Sequence, residues 1–515
     1  MFFADRLQQL QQVQGERTAI VFSGQSITFD QLAGNAWRVG NGLLALGVPR
    51  QQRVAHLAKN SPEFFEIFFG AAATGIATAG LNWRLAGPEI EQLLNYTGNE
   101  VLFVGKDFYA TVEAIEANLQ FVRQIIAIDG GHPRWQDYRS WRDQHAPTRP
   151  QVELRGDDDI LLLYTSGTTG LPKGVELTNA GYAATFDAFV GNDILAVEPE
   201  AVFINVMPLF HVGGINLTVV PLLRGASFHL FPEFNPTQVL DTLERERITN
   251  ALFVPAMIQM LLQEPRVRER DYSHLRQMYY GASPISEAVL TEAVEVFGCA
   301  FMQIYGATEN YGLITKLAAE DHAPKRNLLR SCGKPIKGAE VKIVDASGRE
   351  LPTGEVGEIL LRCAWLMKSY WQKPEATAEA VIDGWYHTGD AACLDENGYL
   401  FIKDRVKDMI ITGGENVYPA EVENALHSHP DVLDVAVIGV PDPKWGEAIK
   451  AVVVLAPGTA ATEDDIIAHA RTRIAGYKVP KSIDFIAALP RNPSGKILRR
   501  ELRQPYWAGQ TRQVG

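Results

Sequence analysis

Tyr164-Thr-Ser-Gly-Thr-Thr-Gly-Leu-Pro-Lys-Gly174 follows the apolar run Ile160 to Leu163, which is short and aliphatic enough to be a buried strand ending in a turn. Three glycines and four hydroxyl residues fall within ten positions. The backbone N–H groups and hydroxyls of Thr165, Ser166, Gly167, Thr168, Thr169 and Gly170 can therefore turn toward one anion, with Lys173 adding charge. A polyphosphate is held in this way. The loop is not a Walker A sequence, because Pro172 precedes Lys173 and no Ser or Thr follows it. A plain polar surface loop has the same residue types, but not this ordered run between a buried strand and a turn.

Outward from that loop, 515 residues are too many for one core and imply two or more domains. Hydrophobic residues at 46% and charged residues at 21% fit a soluble globular enzyme. A formal net charge of -13 argues against nucleic acid as a general partner, so anionic ligands must be held locally. The cysteines Cys299, Cys332, Cys363 and Cys393 lie far apart with no CxxC, as reduced thiols do, and not as a disulfide frame or zinc site does. Met1 to Arg17 is polar and lacks the features of a signal peptide, so a cytoplasmic location is expected. The most apolar window, Ala201 to Leu223, is broken by Asn205, Pro208, His211, Asn216 and Pro221. It reads as a buried strand and helix with a loop between them, not as a transmembrane segment.

Strand and helix patterns alternate along the first part of the chain: Ala19 to Phe22, a capping box at Thr28 to Gln31 with a helix after it, Arg53 to Leu57, Val101 to Val104 and a helix over Val112 to Leu119. The expected fold class is α/β, with parallel-rich sheets and flanking helices. A strand over Val202 to Met207 leads into Pro208-Leu-Phe-His-Val-Gly-Gly214, where His211 fits either a satisfied core residue or a ligand contact. Met278-Tyr-Tyr-Gly-Ala-Ser-Pro284 and Gln303-Ile-Tyr-Gly-Ala-Thr-Glu309 each read as a strand ending in a glycine turn. Ligands of open parallel sheets collect at such strand ends. Glu309 there fits an acid bridged to phosphates by Mg²⁺, or a solvated helix start. Asp345 to Arg362 alternates like antiparallel sheet. Asp390 and Arg405 could grip ribose hydroxyls. Beyond the glycines near Met409 the pattern becomes that of a small α+β domain, ending in the basic stretch Pro490-Arg-Asn-Pro-Ser-Gly-Lys496, which sets Lys496 on a turn.

Taken together, Tyr164 to Gly174, Pro208 to Gly214, Tyr305 to Glu309, Thr353 to Glu358, Tyr386 to Asp390, Asp404 to Pro419 and Pro490 to Lys496 resemble the adenylate-forming superfamily of acyl- and aryl-CoA synthetases, firefly luciferase and nonribosomal peptide synthetase adenylation domains. The order and spacing cover nearly the whole chain, and Gly413-Gly-Glu-Asn-Val-Tyr-Pro419 is most like the bacterial fatty-acyl-CoA ligases. The resemblance implies a large N-terminal domain over 1–403 with a β-barrel-like part, a hinge over 404–408 centred on Lys407, and a small mobile α+β domain over 409–515.

It also implies ATP, Mg²⁺ and coenzyme A. The loop from Thr165 to Lys173 would hold the β and γ phosphates, Thr308 the α phosphate and Glu309 the magnesium. Tyr305, Gly306 and the Gly281-Ala282-Ser283 turn would flank adenine, Asp390 and Arg405 would take the ribose, and Lys496 would bridge carboxylate and phosphate oxygens. Gly413, Gly414 and Glu415 would form the pantetheine channel after the small domain turns. The acyl pocket would fall to His211, Gly213, Gly214, Ile304 and Gly306, the three glycines leaving space and Ile304 standing where coumarate ligases and luciferases carry glycine. The expected activity is that of an AMP-forming acid-thiol ligase for a medium- or long-chain fatty acid or an aromatic or alicyclic acid. A carrier protein as acceptor and a non-catalytic binding relative are the alternatives. Peripheral membrane contact and a homodimer are left open.

Overall fold

The computed structural model describes residues 1–165, 172–195, 197–198, 200–405, 408–412, 415–492 and 495–508, with 324, 404 and 405 described through their backbone. The capping box forms as expected: the Thr28 hydroxyl accepts from the Gln31 N–H, and the Gln31 side chain accepts from the Thr28 N–H. Helix Phe29–Ala45 then buries Leu32, Ala36, Val39 and Leu43. It crosses helix Pro62–Ala72 so closely that a Cβ on Gly70 would lie 2.5 Å from the Ala36 carbonyl oxygen. This thin crossing fits between two sheets, whose residues Leu161 and Phe228 share one core cluster with both helices.

The first sheet has seven strands, in the order Gln136–Asp137, Gln124–Ala127, Val101–Val104, Arg53–Leu57, Ala77–Gly80, Asp159–Thr165 and Lys173–Thr178. All neighbours are parallel except the last two, so the two strands that flank the expected phosphate loop form an antiparallel hairpin. The second sheet has nine strands, parallel through its centre and antiparallel at both edges. In it Gln277–Gly281 and Ala300–Tyr305 run side by side, and Gly281 pairs with Ile304. The two glycine turns therefore converge, as expected for strand ends that gather a ligand.

A five-stranded antiparallel sheet follows, containing Gly357–Cys363, Trp385–Leu394 and Leu400–Arg405. The next described strand, Ile410–Thr412, already belongs to the C-terminal sheet with Val432–Asp442, Gly446–Leu455 and Ser482–Phe485. That sheet and helices Pro419–His427 and Glu463–Arg471 enclose a core of their own. Lys407 lies outside the described residues.

Two expected elements are shorter than read. The strand from Val202 ends at Asn205, because the Asn205 side chain accepts the Met207 N–H and turns the chain. Helix Tyr109–Ile115 gives way to a single tight turn, Glu116–Asn118, before Leu119. The Ala201 to Leu223 window is a strand, a loop and helix Val212–Leu222. Among the described residues no helix is long and apolar enough to cross a membrane.

Residues 367–371 lie along the return strand of the phosphate hairpin: the Trp371 N–H donates to the Gly174 carbonyl at 2.7 Å and the Glu176 N–H to the Ser369 carbonyl at 3.0 Å. Beneath this seam Arg53 reaches Glu176 at 3.2 Å and Asp159 at 3.8 Å, and Lys368 reaches Asp159 at 3.1 Å. The Arg53 guanidinium stacks 3.3 Å over the Trp371 ring. Burial and the neighbouring Glu176 raise the Asp159 carboxyl above its usual range. Arg53→Met leaves these buried carboxylates short of one positive charge, and should cost about 3–5 kcal/mol, read as a shift of the denaturant midpoint. A raised carboxyl means that the folded state holds the proton better than the unfolded state. The deficit should therefore be larger at pH 8 than at pH 5.5.

Candidate active site

Ser166, Gly167, Thr168, Thr169 and Gly170 lie outside the described residues, as do Gly413 and Gly414 and the side chain of Arg405. The ends of the phosphate hairpin are described. Thr165 pairs with Lys173, and the Lys173 ammonium stands 4.5 Å from the centroid of the Tyr370 ring.

Tyr305 ends its strand and donates from its phenol to Asp390 Oδ2 at 2.7 Å. Burial first, and the Asp390 charge after it, hold that phenol protonated by raising its pKa well above the usual value. The residues expected at adenine and ribose are thus joined directly. Ala282 keeps a left-handed backbone (φ 67°) in the turn beside them. A Cβ on Gly281 would lie 2.2 Å from the Ile304 carbonyl, so only glycine lets these strand ends touch.

Thr308, Glu309 and Asn310 form one tight turn, and Glu309 is buried. Tyr370 donates to Glu309 Oε1 at 2.7 Å, and the Glu309 carbonyl accepts the Met367 N–H at 2.6 Å. Just beyond the turn Tyr311 has a left-handed backbone (φ 55°) and a phenol that accepts the Thr178 N–H at 2.8 Å. A Cβ on Gly181 would overlap that phenol oxygen at 1.9 Å. The motif turn is therefore plugged into the end of the phosphate hairpin.

His211 caps helix Val212–Leu222, its Nδ1 accepting from the Gly213 N–H at 3.2 Å. With Nδ1 an acceptor, the neutral ring carries its proton on Nε2 and can donate to a ligand oxygen. Burial, and then the positive charge of Lys496, push the His211 pKa down to about 4. The C-terminal lysine is therefore within electrostatic reach of His211. The turn that presents it is built for the purpose: the Lys496 N–H donates to the Asn492 side chain at 2.8 Å, and Gly495 takes φ 81°. Arg491 donates to the Gly495 carbonyl at 2.6 Å and to both oxygens of Asp434. A Cβ on Gly495 would lie 3.2 Å from Val254, so the turn rests just beyond the carboxyl end of strand Asn250–Phe253 in the nine-stranded sheet.

The glycines expected to leave acyl space divide into two kinds. A Cβ on Gly214 would lie 2.1 Å from the Pro208 carbonyl oxygen, and one on Gly306 would lie 2.2 Å from the Gly312 carbonyl carbon. Chain packing takes up the room at both. At Gly213 a Cβ would meet the His211 ring at 3.4 Å. Ile304 is buried in the main core cluster, and Glu415 is exposed in strand Glu415–Val417.

Sequence reasoning missed Tyr370, and gave Tyr386 and Arg491 no role. The Tyr370-Trp371 pair just ahead of the proline-led helix Pro374–Ala380 was the available signal.

The family described as AMP-binding enzyme matches residues 7–371, and its C-terminal domain matches 421–496. The chain belongs to the AMP-binding enzyme family. It is 40% identical over 96% of its length to a fatty acid–[acyl-carrier-protein] ligase, ScoC, of Streptomyces coeruleorubidus, covering 95% of that protein. Feruloyl-CoA synthase of an Amycolatopsis species is 39% identical over 95% of this chain and 96% of its own. Among solved structures, the anthranilate CoA ligase AuaEII in complex with anthranoyl-AMP superposes with a TM-score of 0.91 at 31% identity, covering 98% of this chain and 97% of that one.

The influence of the Lys496 charge on His211 has a measurable consequence. Lys496→Met should move the His211 titration upward from about 4, though not to the ordinary histidine value, because burial is the larger cause and remains. Histidine-labelled NMR through a pH series reads this. An unmoved titration would show that the lysine does not reach the ring.

Proposed function

We propose that this chain is an ATP-dependent acyl-CoA synthetase, which joins a carboxylic acid to AMP and then transfers the acyl group to coenzyme A. The observation that carries the reading is the seat of the turn bearing Lys496: Gly495 lies against Val254, just past the carboxyl end of strand Asn250–Phe253, and the Lys496 charge helps to lower the His211 pKa. A carboxylate is a poor acyl donor because its leaving group is oxide. In the first step a carboxylate oxygen bonds to the α phosphorus, and the bond from that phosphorus to pyrophosphate breaks. In the second, the CoA sulfur bonds to the acyl carbon as its bond to the AMP oxygen breaks.

Lys496 is assigned to the carboxylate and α-phosphate oxygens in the first step, where a preorganised charge meets the charge developing in the transition state. His211 donates from Nε2 to the substrate carboxyl group. Lys173 and the loop before it take the β and γ phosphates, Thr308 the α phosphate, Tyr305 and the Gly281 to Ser283 turn the adenine, and Asp390 with Arg405 the ribose. Mg²⁺ bound to the phosphates would spread their charge. Glu309 suits it: one carboxylate oxygen is engaged by Tyr370, and no described side chain bonds the other. Among the described residues no group of three or more His, Cys, Asp or Glu could hold a metal alone. That fits an ion which takes one carboxylate and completes its shell with phosphate and water. In the second step the small domain turns about Lys407, bringing Gly413, Gly414 and Glu415 to the pantetheine channel.

The acid is a medium- or long-chain fatty acid or an aromatic or alicyclic one; relatives named for a fatty acid and for ferulate support both sides equally. A carrier protein as acceptor in place of free CoA is the second reading, favoured by the identity to ScoC. Pyrophosphate release across a panel of carboxylic acids, and thioester yield with CoA against a carrier bearing phosphopantetheine, test both. Lys496→Ala should slow pyrophosphate release by about 10²- to 10³-fold while sparing thioester formation from supplied acyl-adenylate. A normal rate of adenylate formation in that variant would remove Lys496 from the mechanism.

A further inference from the structure

The least expected contact in the site is made by Tyr370. Its backbone is fixed as part of the extra edge segment: Val175 and Tyr370 form an antiparallel bridge, and the flanking residues Ser369 and Trp371 bond to Glu176 and Gly174. Its own N–H donates to the Thr377 hydroxyl at 2.9 Å, in helix Pro374–Ala380. The ring is buried. From this fixed position one face meets the Lys173 ammonium and the phenol reaches Glu309 Oε1. Behind it Tyr386, also buried, is close enough for its phenol to influence that of Tyr370. Tyr386 lies on strand Trp385–Leu394, which carries Asp390 as well.

Tyr370 donates its single phenol proton to Glu309, so toward the Tyr386 phenol its oxygen can act only as an acceptor. Oε1 is thereby occupied and the rotation of the carboxylate is fixed. Oε2 is the oxygen that no described side chain bonds. The ring also limits where the Lys173 ammonium can rest. Loss of a side chain that orients a metal-binding carboxylate through a hydrogen bond typically costs about 10- to 100-fold in metal affinity.

We propose that Tyr370 is a positioning residue, which sets the metal-binding carboxylate Glu309 and the phosphate-binding Lys173 in one geometry, with Tyr386 supporting its phenol. This rests on the reading of Glu309 as the magnesium ligand of an adenylating enzyme.

Tyr370→Phe separates the two duties, because it keeps the ring under Lys173 and removes only the hydroxyl. The measurement is the affinity of the full-length protein for α,β-methylene-ATP, taken with and without Mn²⁺, so that the ratio gives the metal's own contribution. In Tyr370→Phe that contribution should fall about 10- to 100-fold while metal-free affinity stays the same. Tyr386→Phe should lower it less, with melting temperature near that of the wild type, and serves if Tyr370→Phe folds poorly. Thioester formation from supplied acyl-adenylate should be unchanged in both. An undiminished metal contribution in both variants, or equal loss of both half-reactions with a fall in melting temperature, would make Tyr370 a packing residue only. If the wild type binds the metal-nucleotide pair but releases no pyrophosphate with any acid, the functional reading fails; the metal contribution still judges Tyr370.

Discussion

Repulsion between anions is the constraint that shapes this molecule. A carboxylate brought to about 4 Å from a single phosphate charge meets about 4 kcal/mol of opposition at an effective dielectric near 20, and a triphosphate carries several such charges. The chain as a whole is no help, since its net charge is -13. Positive potential has to be concentrated at one place. In the proposed mechanism this falls to Lys173, from the seven-stranded sheet, and to Lys496, on the turn that follows the C-terminal sheet.

Those contributions come from separate sheets, so their relative placement must be fixed by something other than strand pairing. Residues 367–371 perform that task. They extend the edge of the phosphate hairpin, hold the Glu309 carbonyl through the Met367 N–H, and bring Tyr370 under both Lys173 and Glu309. Trp371 covers Arg53, which neutralises the buried Glu176 and Asp159 behind the hairpin. A charge cluster of this kind adds little net stability. Its directional bonds favour one register of the hairpin over others.

Much of this was legible in the sequence, and for local reasons. The Thr28 capping box and the strands Arg53–Leu57 and Val101–Val104 were read with the right bounds because propensity, periodicity and turn residues agree there. The convergence of Gly281 with the Tyr305 strand followed from two glycine turns after apolar runs. Other features depend on partners distant in sequence. Gly214 and Gly306 looked like room for a substrate, yet a neighbouring stretch of backbone fills each. Tyr370 gave only the weak signal of an aromatic pair ahead of a proline-led helix, because its contacts are with Lys173 and Glu309, which lie far from it in the chain. Periodicity reports which face is buried, but not what that face meets.

The coupling of Lys496 to His211 also runs in reverse. If the lysine lowers the proton affinity of the ring, then protonating the ring must weaken the seat of the lysine by the same free energy. Burial contributes more to the depressed value than Lys496 does, so the reciprocal effect is the smaller share of it. With its pKa near 4, the ring is neutral near pH 7, where the substrate is a carboxylate, and it offers the lysine no opposition. A histidine left with its ordinary pKa would become cationic on mild acidification and push the C-terminal turn away from the carboxylate. Desolvation of His211 thus keeps the ring neutral in the presence of the Lys496 charge, and under the proposed mechanism it leaves Nε2–H as a neutral donor for the substrate carboxyl group.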